Sequence, residues 1–174
     1  MDFKILKKFD SFLNSKNESF EGIVIGGMAL IILGIVSRQT RDCDILSPAI
    51  TKRIKSLSEE FASTVEGLAK DWLNNGPESL VKDLPKGWEL RCENIYLGAA
   101  LKLQTLSRAD FLKSKFFAYC DRGSDLEDCI KLSPSKKEIE DSLDWLYERD
   151  GNPDWPSHVN LVMGKLAKEL GYEF

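Results

Sequence analysis

The spacing of apolar side chains changes period several times along the chain, and each change predicts an element. Phe3, Ile5, Leu6, Phe9, Phe12 and Leu13 recur at helical spacing, which predicts an amphipathic helix over residues 2–15. Asn14-Ser15-Lys16-Asn17 stops it. Gly22 to Ile25 is a short β-branched run that ends in Gly26-Gly27, the pattern of a buried strand. Met28 to Val36 is rich in Leu, Ile and Ala and predicts a helix buried against the sheet. Arg41 to Leu46 alternates polar and apolar residues and closes at Ser47-Pro48, which predicts a second strand. Residues 49–66 then read as a helix with Ile50, Ile54, Leu57, Phe61 and Val65 as its inner stripe.

The stretch from Gly67 to Gly87 carries two turn signals, Asn74-Asn75-Gly76-Pro77 and Leu84-Pro85. Trp88 to Cys92 and Leu97 to Leu106 are the next candidate strands. A helix is expected from Arg108 to Tyr119, opened by Ser107 with Asp110 three residues on. Ser124-Asp125-Leu126-Glu127 and Ser135-Lys136-Lys137-Glu138 read as capping boxes, the second starting a helix to about Arg149. A last helix spans Trp155 to Leu170, with Gly171 closing it. The order α-β-α-β-α-(β-β)-α-α-α places the chain in the α/β class: a mixed sheet flanked by helices.

Composition narrows the functions open to such a fold. The 174 residues suit one domain with at most a small appendage, and 30% charged with 43% hydrophobic residues is ordinary for a globular protein. A net charge of -4 excludes nucleic-acid binding through a broadly basic surface. Lys52, Arg53 and Lys55 nevertheless form a local basic patch after the second strand. Four cysteines without a C-x-x-C pair, and the single His158, argue against a Cys/His zinc site and for reduced, buried thiols. His158 itself is expected on the surface of the tail. The N-terminus lacks the apolar stretch of a signal peptide, and the longest apolar run, Ile23 to Val36, is short for a bilayer and interrupted by the Gly pair. A soluble, cytoplasmic protein without membrane partners is expected.

Chemistry concentrates between Gly26 and Asp44. Two glycines between a strand and a helix leave room for a phosphate to approach the backbone, although a tight turn alone also needs them. Asp42 and Asp44 stand at i and i+2 of a predicted strand, so their carboxylates share one face while Cys43 and Ile45 face the core. Parallel carboxylates repel unless a cation lies between them. Mg²⁺ suits such a pair, because it takes one or two carboxylates together with substrate phosphates. A redox role for Cys43 is disfavoured, since flanking negative charge raises a thiol's pKa.

Ile25-Gly26-Gly27 followed by Arg38-x-Thr40-x-Asp42-x-Asp44-Ile45 resembles the signature of the nucleotidyltransferase (polymerase-β-like) superfamily. The R-x-T-x-D-x-D form is similar to a small bacterial branch related to abortive-infection nucleotidyltransferase toxins. A second block agrees with that branch: Asp110-Phe111-Leu112, Lys115 and Ala118, then Arg122, Asp125 and Asp128. Asp71-Trp72-Leu73-Asn74, Leu84-Pro85-x-Gly87-Trp88, Trp145 and Trp155-Pro156 resemble an uncharacterised subfamily of it.

The resemblance implies a minimal nucleotidyltransferase core over residues 1–133 and a helical C-terminal extension over 134–174 packed on it. It implies transfer of a nucleoside monophosphate from an NTP to a hydroxyl on RNA (tRNA included), a protein or a small molecule, in a toxin–antitoxin or phage-defence setting with a cognate antitoxin as partner. Asp42 and Asp44 would hold Mg²⁺, or Mn²⁺ in its place. Gly26, Gly27, Arg38, Thr40 and Lys115 would meet the nucleotide, and Asp125 or Asp128 would orient the acceptor or act as base. On the residues alone, Asp125 also reads as a first-turn acid and Asp128 as an ion-pair partner of Arg122. The chain departs from the pattern in three places. Fourteen residues separate Gly27 from Asp42, a slightly longer gap than the pattern's, and Met28 stands where Ser or Thr would touch a phosphate. No third carboxylate is evident beyond Glu89 and Glu93. These departures support an alternative, a catalytically inactive module with the same fold that binds or regulates a partner.

Overall fold

The computed structural model describes residues 1–173; Phe174, the end of the expected C-terminal extension, lies outside the described residues. Two units cluster separately: Met1–Lys82 with Gly87–Ser107, and Asp83–Lys86 with Arg108–Phe174.

In the first unit, helix α1 (Phe3–Ser15) opens at Asp2, whose carboxylate accepts from Lys4 N at 2.9 Å. Its buried side chains, Leu6, Phe9 and Leu13, follow the predicted stripe. A sheet forms from β1 (Phe20–Ile25), β2 (Cys43–Ser47), β3 (Leu73–Asn74), β4 (Glu93–Leu97) and β5 (Leu101–Thr105), in the order β3-β2-β1-β5-β4. β1 runs antiparallel to β2 and parallel to β5; the outer pairs are β2–β3 parallel and β4–β5 antiparallel. The expected α/β class, with a mixed sheet and flanking helices, is therefore what the chain adopts.

Helix α3 (Lys52–Ser63) is capped by Thr51 and buries Ile54, Leu57 and Phe61. Its Phe61 ring meets Phe9 at 5.2 Å and Trp72 at 6.0 Å, and Phe9 meets Trp72 edge-on at 5.0 Å. The Trp72 indole N–H donates to Ser58 O at 3.1 Å, so the buried ring leaves no polar atom orphaned. Asp10 ties α1 to the β4–β5 turn by accepting from the N–H groups of Ala99, Ala100 and Leu101. Burial opposes ionisation of Asp10, but those donors and the Tyr96 hydroxyl outweigh it and hold its carboxyl below the ordinary range.

Several boundaries differ from the sequence reading, α3 among them, since Ile50 and Val65 of its expected stripe lie outside Lys52–Ser63. Trp88 to Cys92 is no strand: Trp88–Arg91 is a turn of 3₁₀-helix, entered through Gly87 at φ +74°. The alternation there is one-sided, Trp88 buried and Leu90 fully in solvent. The single strand expected over 97–106 is instead the second arm of a hairpin, since Gly98 to Ala100 turn the chain between β4 and β5. Helix α2 (Gly26–Ile32) has seven residues and stops before Val36, because Gly34 adopts φ +71° and carries the chain out of the helix.

The second unit is helical: α4 (Arg108–Arg122), α5 (Leu126–Lys131), α6 (Lys136–Tyr147) and α7 (Trp155–Glu169). Phe117 meets Trp145 and Trp155 edge-on, at 6.2 and 6.3 Å. The Trp155 indole donates to Leu146 O and that of Trp145 to Asp83 O, so these rings pin helices. α7 ends in a Schellman turn at Gly171, where Tyr172 N donates to Ala167 O. His158 is exposed, stacked on Trp155 with its Nε2 2.8 Å from Cys120 O. The Ser124 box does not form: Ser124 Oγ meets Asp125, and Asp125 caps α5 only by its left-handed backbone, with no side-chain cap bond.

The Ser135 box does form, with Glu138 N on Ser135 Oγ and Ser135 N on Glu138 Oε2. Glu138 also accepts from Arg108 Nε at 2.7 Å. That guanidinium, more than the Ser135 donors, lowers the Glu138 carboxyl from 4.5 to about 2 against the opposing effect of burial. A depressed carboxyl contributes stability that is complete above its unfolded pKa and disappears as pH falls toward the folded one. Denaturant midpoints should therefore fall between pH 4.5 and about 2. Glu138→Gln keeps the cap and removes the charge, so it should flatten that limb by about 1 kcal/mol, small because both partners are partly solvated. An unchanged acid limb in the variant contradicts this assignment.

Candidate functional site

The first unit brings the Gly pair and the second acid together by strand pairing. β1 and β2 are antiparallel neighbours with Ile25 opposite Asp44, so the end of β1 delivers Gly26 to the flank of Asp44. Cys43 and Ile45 are fully buried, and the alternation of β2 turns Asp44 off the core, half-exposed. β2 begins at Cys43, so Asp42 stands just before the strand, likewise half-exposed. Burial pushes the Cys43 thiol far up, and the charges of Asp44 and Asp42 add to it, so this cysteine is an inert packing group.

Both glycines are required by their neighbours. Gly26 has φ +72°, and a Cβ there would stand 3.0 Å from Asp44 Oδ2. A Cβ on Gly27 would stand 2.9 Å from Thr40 Oγ1 and 3.7 Å from Arg38 Nη1. The pair thus forms the floor of a patch whose rim is Asp44, Thr40 and Arg38. Thr40 is held by its backbone: its O accepts from the Met1 amino group at 2.7 Å, and its N donates to Met1 O. Arg38 reaches the patch from an exposed position. Met28, the departure from the Ser/Thr pattern, is fully buried and contributes to the core instead of the patch.

The other flank of Asp44 is one the sequence reading passed over. β3 pairs with β2 in parallel and places Asn74 beside Asp44. A Cβ on Gly76 would stand 2.8 Å from Asn74 Oδ1 and 3.7 Å from Asp44 Oδ1. Asn74 Oδ1 accepts from Gly76 N, while Asn75 donates to Ile45 O and Pro48 O and accepts from Ile50 N. The signal was present as the Asn-Asn-Gly-Pro turn, but the reach of a turn toward a strand far upstream is not visible in local pattern.

Two half-exposed carboxylates, Asp42 and Asp44, are by type the donors a hard divalent cation of the Mg²⁺ kind takes together with phosphate oxygens. Among the described residues no group of three or more His, Cys, Asp or Glu side chains is placed to share a metal. Glu89 lies exposed on the 3₁₀ turn. Glu93, also exposed, begins β4, three strands away from β2, or about 14 Å at ordinary strand spacing.

The remaining site candidates form a cluster of their own within the second unit. Lys115 on α4 is buried, not a solvent-facing lysine, and its ammonium lies 2.6 Å from Asp125 Oδ1 and 2.7 Å from Asp128 Oδ2. Asp128 thus pairs with Lys115, and Arg122 reaches Asp125 at 3.4 Å. Asp125 takes φ +73° to present its carboxylate there, which explains why it does not serve as a side-chain cap. Burial pushes the thiol of Cys129 up to about 12, with the Lys115 charge opposing the shift.

Among the described residues no helix is long and apolar enough to cross a membrane. No curated protein and no solved structure matches the chain. The family described as "Nucleotidyltransferase of unknown function (DUF6036)" matches residues 2–147. That match spans both the Gly-Gly…Asp-x-Asp patch and the Lys115–Asp125–Asp128 cluster, and the chain belongs to this nucleotidyltransferase family.

Proposed function

We propose that the chain transfers a nucleoside monophosphate from an NTP to an acceptor hydroxyl, with the nucleotide seated on the first unit. The observation that supports this most is the meeting of Gly26, Gly27, Thr40 and Arg38 on the flank of Asp44. The glycines let a triphosphate approach the backbone, Arg38 and Thr40 supply a cation and a hydroxyl to its oxygens, and Asp42 with Asp44 holds Mg²⁺ or Mn²⁺. The metal supplies charge neutralisation for the attacking and leaving oxygens. In the step itself the acceptor oxygen bonds to the α-phosphorus, its proton passes to solvent, and the bond to the bridging oxygen breaks to release pyrophosphate. The resemblance to abortive-infection nucleotidyltransferases extends the proposal to a toxin–antitoxin or phage-defence setting with a cognate antitoxin.

The test is a thermal-stability screen of the four NTPs with and without Mg²⁺. A ligand at 100 times its Kd stabilises by about 2.7 kcal/mol. One NTP should stabilise the protein only when the metal is present, and Asp44→Asn should remove that gain while its melting temperature without ligand stays near wild type. Stabilisation that survives Asp44→Asn overturns the assignment. A second reading, a nucleotide-binding module that performs no transfer, is favoured by the two-acid donor set. It predicts the same stabilisation with no pyrophosphate released.

A further inference from the structure

A cavity of about 490 Å³ opens at the β3 edge of the sheet, between α3 and the segment that leads into β3. Asn74 lines it, and Asn74 is the register partner of Asp44. Asp44 therefore stands between two unlike spaces. Its Oδ2 faces Gly26, and its Oδ1 faces Gly76 on the β3 side, where Asn74 is the residue shared with the cavity wall. Resting on the reading above, in which the triphosphate lies over Gly26 and Gly27, the second space has a defined role. In-line displacement sets the attacking and leaving oxygens on opposite sides of the phosphorus. The leaving pyrophosphate belongs to the glycine flank, so the attacking hydroxyl belongs to the flank that carries the cavity.

The walls specify what brings that hydroxyl. Lys55 from α3 and Lys70 from the turn before β3 both line the cavity, and neither makes an ion pair among the described residues; Asp71 lines it too, with Arg41 3.4 Å from its carboxylate. Two ammonium groups without ion-pair partners, brought to one cavity by separate elements, suit an anion, and phosphate is the anion that accompanies a nucleotide hydroxyl. Glu59, one turn beyond Lys55 and likewise without an ion pair, can accept from hydroxyls. Ile50 and Leu73 add apolar surface for a flat ring. The volume lies in the range of small-molecule sites and matches one nucleotide, not a folded protein segment. We propose that this cavity is the acceptor site and that the acceptor is a nucleotide, a ribose hydroxyl with its phosphate held by Lys55 and Lys70.

Two sources carry that chemistry, the terminal nucleotide of an RNA and a free mononucleotide, and one titration separates them. A 5′-labelled single-stranded RNA octamer with a free 3′ hydroxyl is titrated onto the full chain at several salt concentrations, then competed with AMP, GMP, CMP and UMP. Wild type should bind, and Lys55→Ala with Lys70→Ala should weaken binding at least tenfold. Losing two phosphate contacts should also reduce the slope of log K against log salt by about 1.4. Lys4→Ala with Lys8→Ala, on the exposed side of α1, should leave both quantities unchanged. Displacement by one mononucleotide at concentrations near its own Kd assigns the cavity to free nucleotide; failure of all four assigns it to an RNA end. Equal binding by the Lys55/Lys70 variant, or no binding of either probe, overturns the proposal. The Lys55/Lys70 variant must still show the Mg²⁺- and NTP-dependent stabilisation. Loss of that response in wild type would instead count against the function proposed for Asp44.

Discussion

Lys115→Met is expected to destabilise the second unit by about 3–5 kcal/mol, the cost of leaving buried carboxylates without their cation. The wild-type Lys115 side chain is 8% exposed and its ammonium sits within 2.7 Å of both Asp125 and Asp128, the latter only 3% exposed. Methionine fills nearly the same volume, so packing is preserved and charge alone is removed. What remains is a pair of acids that face one space without the buried ammonium between them and repel each other, the exposed Arg122 reaching only Asp125, at 3.4 Å. Equilibrium denaturation followed by the helical signal measures the cost. Adding Asp125→Asn and Asp128→Asn to the variant should recover most of it, since neutral amides need no cation. A triple variant as unstable as Lys115→Met would show that the loss came from packing.

Phe9→Ala should cost about 3–5 kcal/mol in the first unit and lower its melting midpoint by more than about 10 °C. The ring is wholly buried and touches Phe61 and Trp72 at 5.2 and 5.0 Å, so the deletion leaves a cavity that three secondary-structure segments would have to close. Phe12 supplies the control. It stacks on the same group, 5.4 Å from Phe61, but is only half-buried. Phe12→Ala should therefore cost well under half as much. Equal losses from the two substitutions would mean that burial is not what distinguishes them.

Both effects arise where local pattern and tertiary structure meet, and the two were not equally legible. α1, α4 and α6 were readable from spacing and caps, because an amphipathic helix repeats its signal over several turns. The Ser135–Glu138 box formed, while the Ser124 box did not, because the carboxylate of Asp125 is drawn to Lys115 instead. No local rule weighs an ion pair ten residues upstream against a cap. Trp88 to Cys92 failed for a related reason. Five residues can alternate in a 3₁₀ turn as easily as in a strand, and Gly87 decides between them.

The candidate site divides in the same way. The sequence by itself determined the candidate residues: a Gly pair after a β-branched run, two acids at i and i+2, and an order of blocks specific enough to indicate the family. Those signals survive without a fold because they depend on residue type and spacing alone. Only the tertiary structure decided what stands on the other side of Asp44. The antiparallel β1–β2 pairing brings Gly26 to one carboxylate oxygen, and the parallel β2–β3 pairing brings Asn74 and Gly76 to the other. Strand neighbours far apart in sequence are chosen by burial of the whole sheet, a sum over many side chains that no short window contains.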